Sequence, residues 1–230
     1  MKKKRVKALV LAAGYSQRIK SKVPKQLIKI NRKPLLAYTL KVFERCSAID
    51  SVILVTQPGL LDQCQRLVNR YRLAKVEQIC LGGATRQQSV FNALSAIEDC
   101  DYLLIHDGVR PLVNQEIILR VVKELRRFNA VSCAVRAVDT IVEAKGAFLT
   151  KSLRRNQLWQ IQTPQAFKLD WLIQAHRQAR KEKIFNASDD AQLVLRYRGK
   201  VRLTEGSYLN LKVTHPLDLK LVKLLIKYQK

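Results

Sequence analysis

The chain has 230 residues and a formal net charge of +25 at pH 7, with 43 lysines and arginines against 18 aspartates and glutamates. Hydrophobic residues make up 47% of it, and glycines and prolines are few, which excludes a disordered or collagen-like chain. A chain of this length can bury one sizeable core, so we expect a single domain over residues 1–230.

No segment of the sequence is suited to membrane insertion. Its apolar runs are far shorter than the roughly 20 residues that a membrane span needs, and the run between Lys7 and Gly14 is too short for the core of a signal peptide. Five cysteines are scattered without a CxxC pair, and the three histidines show no spacing suited to a metal. We therefore expect a cytoplasmic protein with reduced thiols and no zinc site.

The first half of the chain alternates predicted strands and helices. Hydrophobic patterning predicts strands at residues 7–14, 51–56, 76–83, 101–108 and 130–135, and helices at 33–46, 59–73, 85–98 and 114–129. Such alternation predicts an α/β fold with a mostly parallel sheet and helices on both faces. In these sheets ligands bind beyond the carboxyl ends of the strands, which is where Gly14, Gly82, Gly83 and Asp107 are expected.

The second half opens on a different pattern. Residues 136–162 read as two extended segments around a turn near Lys145 and Gly146, which predicts a protruding β-hairpin arm. The segments that follow it are predicted as helices at 169–183 and 189–199, short strands at 201–206 and 208–213, and a closing helix at 216–229.

The stretch LAAGYSQRIKSKVPKQ (residues 11–26) follows the first predicted strand and gathers the cations Arg18, Lys20, Lys22 and Lys25. A glycine at the end of a strand leaves backbone N–H groups that can bind phosphate oxygens. The stretch nevertheless lacks both the GxGxxG and the GxxxxGK[ST] patterns. On these residues alone, a phosphate loop and an ordinary turn with surface lysines are equally good interpretations.

Seven blocks in order carry more information than any one of them. They are LAAGxxxRxxxxxPKQ, GGxxRxxSV, HDGVRP, VxDT, RNxLWxxQTPQAF, SDDA and NLKVTxPxDL, and they run from Ala8 to beyond Asp218. Together they closely resemble the 2-C-methyl-D-erythritol 4-phosphate cytidylyltransferases of the non-mevalonate isoprenoid pathway. The resemblance implies a Rossmann-like nucleotidyltransferase domain that transfers CMP from CTP to the phosphate of methylerythritol phosphate and releases pyrophosphate. It also implies a homodimer formed through the arm at about 136–162, with Thr140 and Arg155 delivered to the neighbouring site.

The resemblance assigns roles to individual residues. Arg18 and Lys25 would contact the triphosphate, and the catalytic set implied is Arg18, Lys25, Arg155 and Lys212. The positions implied for the nucleotide are Ala12, Ala13, Gly14, Gly82, Gly83, Ser89, Asp107 and Gly108, the first three through backbone N–H groups. The positions implied for the acceptor are Asp107, Arg110, Thr140, Arg155, Thr163, Ser188 and Lys212.

Several residues of these blocks keep two interpretations. Asp107 could contact substrate or brace its loop through Arg110, and Arg86 could likewise brace its loop or contact ligand. Lys20 and Lys22 are expected to face solvent, and Ala84 stands where an acidic residue is common in the family.

The implied chemistry needs cations more than a base. A phosphate monoester has its second pKa near ~6 and is already ionised at neutral pH, so no general base is required. We accordingly expect His106 to be a packed strand residue. Mg²⁺ should bridge the CTP phosphates while few or no protein side chains bind it.

Two other functions fit part of the sequence. A pentitol-phosphate cytidylyltransferase, such as one acting on ribitol 5-phosphate, would share the CTP half and differ in the acceptor half. A nucleic-acid-binding protein would explain the charge, since only six of the 43 lysines and arginines belong to the implied site (Arg18, Lys25, Arg86, Arg110, Arg155 and Lys212). The basic residues are spread along the whole chain without a dense tail, so nucleic acid is not expected to be the functional partner.

Overall fold

The computed structural model describes residues 4–14, 19, 21 and 23–228. The strands are β1 (Val6–Leu11), β2 (Lys29–Ile30), β3 (Lys33–Pro34), β4 (Ser51–Thr56), β5 (Val76–Leu81), β6 (Tyr102–Asp107), β7 (Ala130–Arg136), β8 (Val142–Lys145), β9 (Phe148–Ser152), β10 (Trp159–Lys168) and β11 (Arg202–Glu205). The α-helices are α1 (Leu35–Arg45), α2 (Leu61–Arg70), α3 (Arg86–Leu94), α4 (Gln115–Leu125), α5 (Leu169–Lys181), α6 (Asp190–Arg198) and α7 (Pro216–Leu225). Short 3₁₀ helices cover Lys25–Leu27, Pro58–Leu60, Arg155–Gln157 and Ile226–Tyr228. Within the described part of the chain, no helix combines the length and the apolar character that a bilayer span requires.

A seven-stranded sheet in the order β11-β7-β10-β6-β1-β4-β5 forms the central layer. Strand β1 pairs in parallel with β4 and β6, β4 with β5, and β11 with β7, while β10 runs antiparallel between β6 and β7. The inner parallel strands β1 and β4 are rich in valine, isoleucine and leucine, as expected for strands buried on both faces. The predicted α/β fold with a mostly parallel sheet is confirmed.

The core lies on both sides of this sheet. Ala8 and Val10 of β1 face a cluster that includes residues of α1, α2 and α4, whereas Leu9 and Leu11 face a second cluster with residues of α3, α5 and α6. The alternation follows the two-residue period of a strand. Helices therefore cover both faces, as the sequence predicts.

Two helices that border the carboxyl ends of the strands begin at capping side chains. The Thr85 hydroxyl accepts the Gln88 N–H at the start of α3, and the Asp189 carboxylate accepts the Gln192 N–H at the start of α6. A cap of this kind contributes about 1 kcal/mol and fixes where the helix begins. Both helices consequently start at defined points beside the same edge of the sheet.

Two predictions in the second half of the chain are wrong. Residues 159–162 were predicted as the end of the arm and residues 163–168 were assigned to no element, yet all of them belong to β10, whose pairing with β7 shifts register between Ile161 and Gln165. Glutamines and a proline are not typical of a strand, so the pattern does not predict one here. The strand accommodates Pro164 because the regular pairing with β7 is interrupted between Ile161 and Gln165. Residues 208–213 are irregular and not a strand, and the Val213 N–H donates to the Val109 carbonyl instead of to a sheet neighbour.

The arm is the hairpin that the sequence predicts. Strands β8 and β9 pair antiparallel around a turn in which Gly146 has a φ of 61°, a left-handed conformation that glycine adopts without steric cost. Every residue of both strands is exposed to solvent in the single chain.

Candidate active site

A cleft of about 170 Å³ opens at the carboxyl ends of β1, β5 and β6. It is lined by Leu11, residues 12–14 after β1, Lys25 and Gln26, residues 83–86 with Ser89, Asp107 and Val109, and Lys212. These segments are distant in sequence and meet here because parallel strands end at the same edge of the sheet.

Asp107, the last residue of β6, lies between three cations. Its Oδ2 is 3.0 Å from Lys212 Nζ and 3.2 Å from Arg110 Nε, and its Oδ1 is 3.7 Å from Arg86 Nε. Burial alone would raise the pKa of this carboxyl, but the charges of Lys212, Arg86 and Arg110 outweigh it and hold the pKa well below its usual range. Asp107 is therefore ionised throughout the neutral range, and the cations exceed it in charge.

Arg86 connects this carboxylate to a second one. Its Nη1 lies 2.7 Å from Oδ2 of Asp190, the first residue of α6, which is buried. Burial would raise the pKa of Asp190, but Arg86 and a hydrogen bond from His176 outweigh burial and lower it. Among the described residues, Nη2 of Arg86 has no hydrogen-bond partner. Arg86 braces the site through two carboxylates and keeps one N–H pair beside the cleft.

The glycine pair after β5 permits a close approach of three segments. A Cβ at Gly82 would lie 2.4 Å from the Ala13 Cβ, and one at Gly83 would lie 2.4 Å from Cγ of Gln88. The Ser89 hydroxyl accepts the Gly83 N–H at 3.0 Å and donates to the Thr85 carbonyl at 2.9 Å. Ser89 thus holds the loop in place with both of its hydrogen bonds.

The loop after β1 is fixed from two sides. The Ala12 N–H donates to the Val55 carbonyl at 2.7 Å, and Nε2 of the buried Gln26 donates to the Ala12 carbonyl at 2.8 Å. The expectation that Ala12 offers a free N–H group to the nucleotide is therefore wrong, because that group is already paired across the sheet. A Cβ at Gly14 would meet no atom of the described residues within 4 Å, so packing against them does not require glycine there.

A buried polar layer supports Asp107 from below. The Thr163 hydroxyl accepts the Asp107 N–H at 3.0 Å and also contacts Nδ1 of His106 at 3.1 Å. The side-chain Nδ2 of Asn210 donates to the Thr163 backbone carbonyl at 2.8 Å. The backbone carbonyl of Asn210 accepts Nη1 of Arg110 at 2.7 Å. Burial lowers the pKa of His106 to about 4. His106 is thus a packed strand residue, as expected.

Comparison with known proteins agrees with this geometry. The family model described as 2-C-methyl-D-erythritol 4-phosphate cytidylyltransferase matches residues 6–228. The chain belongs to this family. A protein of that name from Clostridium acetobutylicum is 40% identical over 222 residues, covering 96% of both chains. Another from Clostridium perfringens is 41% identical over 224 residues, covering 97% of this chain and 99% of the relative.

Solved structures of the family share the fold. The 4-diphosphocytidyl-2C-methyl-D-erythritol synthase of Anaerococcus prevotii superposes with a TM-score of 0.85 at 27% identity, covering 97% of this chain and 96% of that one. The 2-C-methyl-D-erythritol 4-phosphate cytidylyltransferase of Thermus thermophilus gives 0.78 at 30% identity, covering 95% and 98%.

The structure brings a first group of the family's implied site residues to the cleft itself. That group is Ala12, Ala13, Gly14, Lys25, Gly83, Ser89, Asp107 and Lys212. Arg110, Gly82, Gly108 and Thr163 do not line the cleft but contact residues that do. Arg110 and Thr163 both contact Asp107, and the two glycines lie against the loop after β1. At Gly108 a Cβ would lie 3.0 Å from the Leu11 carbonyl oxygen, so this glycine allows β1 and β6 to end side by side.

A second group lies away from the cleft of its own chain. Thr140 and Arg155 are exposed on the arm, where Nη1 of Arg155 donates to the Val138 carbonyl at 3.2 Å. Ser188 is exposed beside the start of α6 and contacts Asp189 at 3.3 Å. Arg18, Lys20 and Lys22 lie outside the described residues.

Four residues of the site were not identified from the sequence. Gln26, Asp190 and Asn210 stand inside the quoted blocks PKQ, SDDA and NLKVT, so their presence there is a signal that could have identified them. His176 carries no such signal, because it lies in an amphipathic helix where a histidine predicts nothing specific.

Proposed function

We propose that this chain transfers CMP from CTP to 2-C-methyl-D-erythritol 4-phosphate, giving 4-diphosphocytidyl-2-C-methyl-D-erythritol and pyrophosphate. One observation carries the assignment: Asp107 is held by Lys212, Arg110 and Arg86 in a cleft beside glycine-containing loops, in a chain of the cytidylyltransferase family. A site with excess positive charge and narrow backbone walls suits two phosphorylated substrates.

The reaction forms a bond between an acceptor phosphate oxygen and the α-phosphorus, and it breaks the bond to the β-phosphate. The electron pair leaves with pyrophosphate, and no proton has to move. Lys25, which lines the cleft together with the loop after β1, would contact the triphosphate. Lys212, whose side chain is 36% exposed, can leave Asp107 in part and meet the acceptor phosphate. Both cations would stabilise charge that develops on the α-phosphate.

The surroundings of His106 agree with a reaction that needs no base. Its ring is fully buried, its pKa is lowered to about 4 by burial, and it does not line the cleft. Asp107 is engaged by cations and is a weak base. Orientation and fixed charge are then the contributions of the protein, as phosphoryl chemistry requires.

Mg²⁺ is the cofactor that this chemistry implies. Asp107 is the one carboxylate among the described lining residues, and the described part of the chain holds no cluster of three metal-binding side chains. This donor set fits an ion held mainly by the triphosphate oxygens and water, with at most Asp107 from the protein. When bound, Mg²⁺ would neutralise phosphate charge and favour departure of pyrophosphate.

We further propose that the arm pairs two chains. Phe148 and Leu149 near its tip are 79% and 65% exposed, and Val138 is also exposed. A lone two-stranded hairpin is marginally stable in water, so apolar residues on it call for a partner surface. A two-fold dimer would cover them and bring Thr140 and Arg155 to the partner's cleft.

We also propose a cytoplasmic location. All five cysteines are free thiols (Cys46, Cys64, Cys80, Cys100 and Cys133). Burial raises the pKa of Cys100 to about 11 and that of Cys133 to about 12, so these thiols are not reactive. Unpaired cysteines of this kind fit a reducing compartment.

The test is turnover with purified protein, CTP, Mg²⁺ and each acceptor, measured as pyrophosphate release. We expect release with methylerythritol phosphate and none after full chelation with EDTA. A higher kcat/KM with ribitol 5-phosphate would reassign the acceptor. Sequence-specific nucleic-acid binding without any CTP turnover would overturn the enzyme assignment.

A further inference from the structure

A chain of buried polar contacts runs from helix α5 to the cleft. Nε2 of His176 is 2.9 Å from Oδ1 of Asp190, and Oδ2 of Asp190 is 2.7 Å from Nη1 of Arg86. Arg86 then reaches Asp107, with Nε 3.7 Å from Oδ1. The side chains of His176 and Asp190 are each 1% exposed. Four residues far apart in sequence are thus joined into one line of contacts that ends at the carboxylate of Asp107.

His176 occupies a position where an apolar residue would pack as well. Its neighbours on the buried face of α5 are Leu172, Ala175 and Ala179. Burying a polar ring among such residues costs free energy unless its hydrogen bonds are made. In the described part of the chain Nδ1 has no partner, so the contact with Asp190 is the one polar bond that the ring makes there. The sequence therefore retains a donor to Asp190 at this site.

The contacts fix the plane of the Asp190 carboxylate. Oδ1 accepts from His176, Oδ2 accepts from Arg86, and the Asp190 N–H donates to Oε1 of Gln165 at 3.2 Å. With both oxygens engaged from different sides, the carboxylate cannot rotate without losing a charge-assisted hydrogen bond. Asp190 consequently presents Oδ2 to Arg86 in one orientation.

Arg86 lies between two carboxylates that compete for it. The pair with Asp190 is short, whereas the approach to Asp107 is long, and Asp107 keeps Oδ2 on Lys212 and Arg110. If Asp190 turned away, the guanidinium would close on Asp107 as a two-point clamp, a geometry that arginine favours with carboxylates. Asp107 would then be withdrawn from Lys212 and from the acceptor.

We propose that His176 and Asp190 are positioning residues that hold Arg86 back from Asp107 and so keep the Asp107 carboxylate available to the acceptor. This inference rests on the proposed function, since it assigns Asp107 to the acceptor side. Loss of the His176 donor should accordingly raise the KM for methylerythritol phosphate, with little effect on the KM for CTP.

Two amides make a matched test. In His176→Gln the amide nitrogen stands where Nε2 of histidine was and can still donate to Asp190. In His176→Asn the amide lies at the level of Nδ1 and falls short of Asp190. We expect the Asn variant to raise the acceptor KM about tenfold, as for loss of one hydrogen bond to a charged group, and the Gln variant to restore it. Arg177→Ala is the control, because Arg177 lies on the same helix and is exposed to solvent.

Equal acceptor KM values for His176→Asn and His176→Gln would overturn the proposal, and so would an equal rise in the KM for CTP. A second measurement is independent of turnover. In ¹⁵N-arginine spectra of the substrate-free protein, the Arg86 Nε–H signal, assigned by its loss in Arg86→Lys, should shift in the Asn variant and stay in the Gln variant. If both variants leave it unmoved, the positioning role is wrong even where wild-type protein turns over. If wild-type protein shows no turnover but the signal behaves as expected, the proposed function fails and the coupling stands.

Discussion

The cleft and the arm use their polar and apolar residues in opposite ways. At the cleft, charged groups are buried and paired, as with Asp107 and Asp190. On the arm, apolar groups such as Phe148 and Leu149 are exposed, and the hairpin is held mainly by its own strand pairing. The contacts that hold the charged groups of the cleft are made within one chain. The exposed apolar residues of the arm are the observation behind the dimer proposed above.

Under the proposed dimer, the cleft is held together by contacts within one chain, and the arm would act only through a second chain. The residues implied for the acceptor divide along the same line: Asp107, Arg110 and Lys212 meet in the cleft, while Thr140 and Arg155 stay on the arm. Changes in the cleft should therefore act within a subunit, and changes on the arm should act across subunits. Three measurements follow: two concern the cleft and the buried residues beneath it, and the third concerns the arm.

The largest expected effect concerns the two lysines of the cleft. Lys25→Ala and Lys212→Ala should each lower kcat/KM by about 10²–10³, the loss typical of one preorganised donor to a developing negative charge. Lys29→Ala is the control, since Lys29 is exposed on β2 and does not line the cleft. Steady-state pyrophosphate release measures all three. Equal losses at Lys25 and Lys29 would mean that general positive charge, not position, governs the rate.

The second prediction concerns His106 and tests whether water is excluded from the buried polar layer beneath Asp107. Unfolded His106 takes up a proton near pH ~6.5, whereas the folded ring, buried beside Asp107, Arg110 and Lys212, does so only at about 4. Protons therefore favour the unfolded chain between these values, and stability should fall by about 3 kcal/mol as pH drops from 6.5 to 4. In His106→Gln this part of the loss should vanish, as measured by urea denaturation at several pH values.

The lowered pKa of Asp107 does not affect the pH dependence of stability between pH 6.5 and 4. Its contribution to stability is present above the pKa of an unfolded aspartate, about 3.9, and is lost only as pH falls further. The two windows are separate. Identical pH profiles for wild type and His106→Gln would show that the ring titrates normally and that water reaches the layer.

The smallest expected effect is the activity recovered when two inactive variants are mixed, which tests the role of the arm. Arg155→Ala and Lys25→Ala should each be inactive as homodimers. In a mixed dimer of a shared-site enzyme, one cleft carries both defects and the other has intact Lys25 and intact Arg155. Random exchange of equal amounts makes about half the dimers mixed, so roughly a quarter of wild-type activity should return.

Exchange in that experiment should be achieved by co-refolding and verified with differently tagged chains. Activity that stays at the level of the parents after verified exchange would place Arg155 in the site of its own subunit. The division between cleft and arm would then be wrong, although the hairpin could still join the chains.

The sequence predicts the parallel half of the fold well, because short continuous apolar runs such as SVILVT are recognised from the local pattern. It fails at β10, where the polar residues of QTPQAF make contacts with distant segments: Thr163 supports Asp107, Gln162 bonds Ser207, and Gln165 accepts the Asp190 N–H. It likewise assigns a strand to 208–213, where Asn210 instead satisfies its neighbours by side-chain bonds.

At the site, the ordered blocks identified most of the cleft but not its supports. The Ala12 N–H was expected to be free, and only the three-dimensional neighbour Val55 shows that it is taken. His176 could not have been found, since its meaning depends on Asp190, 14 positions away and on another helix. Contacts between distant segments decide such roles.

The root of the arm has a consequence for how this protein can change over time. Arg136 and Trp159 face each other as a pair of β7 and β10, with the Arg136 guanidinium over the indole ring at 4.2 Å. The chain thus leaves the sheet at Arg136 and re-enters it at the neighbouring residue Trp159. The pairing of β7 with β10 is therefore in place where the arm begins. The arm is in effect an insertion within a hairpin. The sheet therefore sets no limit on the length and sequence of the arm, and the register of every strand in the sheet is independent of them. The limit comes from the roles proposed for Thr140 and Arg155.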